Sequence, residues 1–232
     1  VTLTYSESRA VGPTLGQDSL TQGVLALAVG MAVVIAYLFV FYQGLGLLTL
    51  GSLGVFAVFY LGLLAVLSRF GLFALSLPGL AGMVLTTASA ADSSILVLER
   101  FREEIRMGRT VKSASVSGSE HGIKTSLDAD VVTLVAALAL FFVATGDVRG
   151  FGLTLALGVA CDIVTMFFFK APALRLLAMG AIQRHPGFWG IKHDLDEAAA
   201  RKAAKKVAEQ GAVHEVPAQT HDASMKGGEA HA

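Results

Sequence analysis

From Leu20 to Phe41 no residue carries a charge. A helix rises about 1.5 Å per residue, so such a run covers about 30 Å, the thickness of a bilayer's hydrocarbon core. In lipid, every backbone N–H and C=O must find its partner within the protein, and a single run of this kind does so as a helix. The pattern recurs along the chain. Spans are expected at about 19–42, 45–67, 75–98, 127–145 and 148–177. Composition agrees: 54% of the residues are hydrophobic and 16% charged, against about 25% charged in a soluble domain. The expected fold class is an all-α membrane protein, a bundle of five transmembrane helices followed by a cytoplasmic tail.

The segments between and beyond the spans are short or polar. Residues 1–18 are polar and lack the basic, then apolar, order of a signal peptide. They read as an extracytoplasmic linker at the end of a domain that lies outside this sequence, in a longer protein. The glycines of GLGLLTLG in the second span suit close helix packing better than nucleotide binding, because no βαβ pattern surrounds them. Residues 110–124 are Ser-rich and predict a short surface helix, apart from the span that starts at 127. Residues 179–232 predict a largely disordered tail. Within it, DLDEAAARKAAKKVAEQ predicts a surface helix capped by Asp194. Six Lys and Arg residues fall between Arg100 and Lys124, and more follow Ala171. By the positive-inside rule these two regions are cytoplasmic and the N-terminal end is extracytoplasmic. Net charge is zero, so no basic field points to nucleic acid. The single cysteine, Cys161, excludes a disulfide framework and a cysteine metal site. The tail histidines are irregularly spaced. No metal or cofactor is expected, and no nucleophile–His–acid set suggests an enzyme.

Three acidic residues inside the spans carry the functional argument. Asp92 sits in the third span among Thr86, Thr87, Ser89, Ser93 and Ser94. An ionisable group at that depth costs about 2.5–3.5 kcal/mol on insertion scales, so it marks a functional site by default. The reading is a proton-relay carboxylate within hydroxyl-bearing surroundings (Thr86, Ser89, Ser93 and Ser94); the alternative is a protonated helix–helix contact. Asp162, in the fifth span, either packs against Asp92, binds a second proton, or makes a structural hydrogen bond. Asp130, with Asp128, opens the fourth span, where a carboxylate complements the helix dipole; Asp130 is also deep enough to line a vestibule. Lys170 is placed near the far end of the fifth span. Asp92 and Asp162 are therefore expected to have no basic partner at their depth in this chain, leaving water or another subunit to complete the site.

The run LPGLAGMVLTTASAADSSILVLERFREEIRMGRTVKSA resembles the hallmark segment of the SecD family of bacterial protein-export membrane subunits, where an LPGIAG…VDAN…ERIREE-like pattern occurs. RAVGPTLGQDSL resembles the linker into the second family helix, and SLDADVVTLVAALALFFVATGDVRGF resembles the fifth helix and its turn. The resemblance covers about residues 7–178. Two motifs depart from the family: its D-A-N reads Asp92-Ser93-Ser94, and the second reads Asp128-Ala129-Asp130. An acid near Asp162 is similar to high-GC Gram-positive members.

The resemblance implies half of an RND-type membrane domain holding helices two to six, in a bacterial plasma membrane. It implies a SecF-like partner forming the pseudo-symmetric second half, the SecYEG channel, and a translocating preprotein. It further implies that proton flow drives late steps of export, with Asp92 at the position of the family's proton-linked aspartate and its basic counterpart on SecF. Two other functions are compatible with such a bundle: a structural scaffold for SecF and the channel, and an RND-type small-molecule exporter. The latter predicts large loops between the first two spans of a repeat.

Overall fold

In the computed structural model, which describes residues 13–71 and 76–214, the five expected spans are helices. They are α1 (Pro13–Tyr42), α2 (Gly44–Arg69), α3 (Leu77–Arg106), α4 (Val111–Val143) and α5 (Asp147–Thr165). The last continues through a π-helical turn (Met166–Lys170) into α6 (Ala171–Met179) and α7 (Ala181–Arg184). Each of the five is long and apolar enough to cross a membrane. The chain is a multi-pass helical membrane protein. The expected linker lies mostly, and residues 215–232 of the tail wholly, outside the described residues.

The helix ends follow from local chemistry. Ser76 caps α3, its Oγ accepting from the Gly79 N–H at 3.2 Å, with Pro78 in the first turn, where its missing N–H costs nothing. Gly108 stops α3 with φ +90, a conformation that favours glycine. Thr110 then caps α4 through the Ser113 N–H at 3.3 Å. Gly146 turns the chain from α4 into α5 with φ +60.

α3, α4 and α5 pack on one another, and α1 and α2 lie along α3. The span in α1 is only 6% buried. The polar stretch 110–124 is not a separate surface helix: α4 runs unbroken from Val111 to Val143. Nothing near Lys124–Leu127 breaks a helix, and the Ser-rich half has a buried face made of Ala114, Ser115, Gly118, Ser119 and Gly122. A Cβ on Gly118 would lie 2.6 Å from Phe101 Cα, and one on Gly122 2.8 Å from Val97 Cα. The two backbones therefore touch directly, the packing that small residues permit between helices.

At one end of the bundle an apolar cluster holds Leu38, Tyr42, Phe101, Ile105, Trp189 and Ile191. The Gly44 N–H donates to Phe188 O at 3.1 Å, tying the α1–α2 turn to the segment after α7. Beyond it, α8 (Lys192–His214) docks on the charged end of α3. Asp194 is not the cap of α8. It lies inside the first turn, fully buried, and accepts from Arg102 Nε at 2.8 Å and Arg106 Nε at 2.6 Å. Two guanidinium groups one turn apart on α3 hold a carboxylate more strongly than a single backbone N–H does.

Candidate functional site

Successive residues on a helix point about 100° apart, and this divides α3 into two faces. Ala81, Leu85, Ala88 and Asp92, spaced i, i+4, i+7 and i+11, form an exposed stripe. Asp92 makes no hydrogen bond or ion pair with any described residue. Its neighbour Ser93 is buried and faces α5. The two residues share a depth and differ in direction.

The inward face carries a charged cluster. Ser93 Oγ donates to Asp162 Oδ2 at 2.7 Å. Lys170 Nζ donates to Asp162 Oδ1 at 2.7 Å, to Ser93 Oγ at 2.6 Å and to the Ala90 carbonyl at 3.3 Å. Asp162 is 2% exposed and Lys170 4%. The expectation that Asp162 lacks a basic partner in this chain is thereby overturned, and so is its packing against Asp92. Lys170 follows Asp162 by eight residues. On an α-helix that offset leaves two side chains about 80° apart. The intervening π turn, Met166–Lys170, absorbs about one extra residue, so the offset behaves like i+7 and the two groups share a face. Pro172 accounts for the π turn: it has no N–H for the Phe168 carbonyl and its ring crowds that oxygen. The Ala171 N–H instead bonds Met166 O, five residues back.

Asp130 lies on α4 at the same level, 5% exposed, with Oδ2 buried and unpartnered. It is close enough to Asp162 and Lys170 to interact with both charges. The remaining expected residues are spread over other contacts. Ser94 Oγ bonds Ser52 Oγ at 3.1 Å and the Ala90 carbonyl at 2.7 Å. Thr86 Oγ1 donates to the Gly82 carbonyl at 2.9 Å and packs at Gly158. Ser89 is half-buried. The structure thus brings together Asp162, Asp130 and Ser93, adds Lys170, and sets Asp92 apart.

Outside the spans, His193, Asp194 and Glu197 place potential ligand atoms within 4.8 Å of one another. Both Asp194 oxygens are already taken by guanidinium groups, and those two charges repel a metal cation. Asp194 and Glu197 instead work as a clamp on α3, through Arg102 and Arg106.

The profile of the family described as protein export membrane protein SecD/SecF, C-terminal, matches residues 2–180. The protein translocase subunit SecD of Koribacter versatilis is 39% identical over 181 residues, covering 78% of this chain and 32% of that protein. That of Mycobacterium tuberculosis is 36% identical over 186 residues, covering 80% and 32%. The crystal structure of SecDF, a translocon-associated membrane protein from Thermus thermophilus, superposes with a TM-score of 0.68 at 38% identity, covering 73% of this chain and 23% of that one. The chain spans about a third of the length of the curated relatives it matches.

Proposed function

The chain belongs to the SecD/SecF family of protein export membrane proteins, and from that premise we propose that it is the proton-coupled membrane portion of a SecD-type translocase subunit. Its work is transport rather than chemical conversion of a substrate. It pairs with a SecF-like subunit, acts at the SecYEG channel and uses the proton-motive force to promote late steps of preprotein movement. Its N-terminal end faces outward, and Arg100–Lys124 and the tail face the cytoplasm of the bacterial cell.

One observation carries this reading. Asp92 sits within a membrane-spanning helix, on an exposed stripe of small and apolar residues, with no partner among the described residues of its own chain. A bare carboxylate facing lipid is costly. A second membrane subunit that covers the stripe removes that cost and can supply a cation opposite Asp92, and small residues at Ala81 and Ala88 allow its helix to come close. Of the hydroxyl-bearing residues around it, half-buried Ser89 gives α3 a partner for water at that level, while Thr86, Ser93 and Ser94 are engaged on the inward face. A carboxylate at such a junction takes up a proton from one side and yields it to the other as the subunits shift.

Asp92→Asn in the full-length complex tests it, with proton-driven export and complex assembly measured side by side. Export is expected to fail while assembly persists. Normal export would sink the proton relay, and lost assembly would favour the scaffold reading.

A further inference from the structure

The cluster on the inward face of α3 has a charge imbalance. Asp162 and Lys170 compensate one another, and Asp130 adds a second carboxylate with no cation of its own. α4 and α5 are antiparallel neighbours joined at 144–146. Asp130 lies thirteen residues before Val143 and Asp162 fifteen after Asp147, or about 20 and 22 Å from the turn. Both carboxylates therefore occupy one layer, deep within the bilayer. An isolated ion buried there costs several kcal/mol even after relaxation. Lys170 also lines a small cavity with Leu48, Thr49, Ser52, Ser94, Val97 and Leu98, where the buried Thr49 Oγ1 has no hydrogen-bond partner among the described residues.

We propose that Asp130, Asp162 and Lys170 form a second proton-binding site inside this half-bundle, separate from Asp92. Asp162 holds the Lys170 ammonium, and Asp130, whose buried Oδ2 has no such partner, carries the proton. The groups facing Asp130 are Asp162 and Lys170 on the α5–π segment, with Cys161 beside Asp162 and the Ser93 hydroxyl of α3 bonded to the pair. The step is a protonation: an O–H bond forms at Asp130, the proton comes from water, and it returns to water when the carboxyl ionises. A metal cation is disfavoured because the Lys170 ammonium already occupies the position between the oxygen donors. The site rests on the helices crossing the membrane and not on Asp92 carrying protons.

Infrared spectroscopy of the full-length protein in nanodiscs tests it, through the carbonyl stretch of a protonated carboxyl group followed against pH. The wild type is expected to show such a band at neutral pH. In an Asp92→Asn background, which removes any band of Asp92 itself and should leave this one in place, Asp130→Asn should abolish it and Asp130→Glu should shift it without loss. Lys170→Gln should add a second band as Asp162 takes up a proton. A wild type without the band overturns the site, as does a band that survives Asp130→Asn in the Asp92→Asn background. A band that appears only when sodium is withdrawn also overturns it, because a metal cation then competes for the carboxylate. An export-deficient Asp92→Asn protein that keeps its band would separate the two sites.

Discussion

Asp92 and Asp162 occupy one layer of the same bundle and have opposite surroundings. Asp162 is enclosed by its own chain, with an ammonium group and a serine hydroxyl on its two oxygens. Asp92, one residue from that serine, faces out with no partner among the described residues. One bundle can thus carry two kinds of acid. One is compensated when the chain folds, and the other, in the function proposed here, is completed by a second chain. Asp194 supplies a third case outside the spans, compensated by two arginines and reached only through the tail.

The contrast breaks most sharply at Lys170. Lys170→Met leaves Asp162 buried and unpaired, which costs about 3–5 kcal/mol. The double variant Asp162→Asn/Lys170→Met should recover most of it. Unfolding in detergent by denaturant titration checks both. Asp194→Ala removes two hydrogen bonds to charged groups, each about 1.5–3 kcal/mol. It should free α8 while the spans hold, read as faster amide exchange and proteolysis confined to Lys192–His214. Ser93→Ala deletes one bridging hydroxyl and should cost about 1 kcal/mol, again by denaturant titration. Asp92→Asn should leave the stability of the chain unchanged within measurement, although export fails. A destabilised Asp92→Asn chain would show that its own helices, not a second subunit, complete that carboxylate.

The five spans and their turns were legible from uncharged runs and glycines, because the bilayer imposes length and apolarity directly. The inward site was less so. Ser93, Asp130 and Asp162 stood out as polar residues inside spans, but their grouping required knowing which face of each helix turned inward. Lys170 was misplaced for a geometric reason: regular α-helical spacing sets it off the face of Asp162, and the π turn before Pro172 restores it. The hydroxyls and glycines of 110–124 suggested water, whereas in a helix the same residues are small enough to let α3 approach. Asp194 suggested a cap because two arginines about ninety residues away leave no local signal.

That distance has a consequence in time. Arg102 and Arg106 are translated 92 and 88 residues before Asp194. In the orientation proposed above, neither is yet covered by Asp194 when α3 enters the membrane, and both are available to hold that end in the cytoplasm. Once α8 has been made, the same charges are covered. The chain thus spends one pair of arginines twice, first as a direction signal during synthesis and later as the anchor of its own tail. A ribosome paused before Asp194 would hold a helix already oriented but not yet fastened.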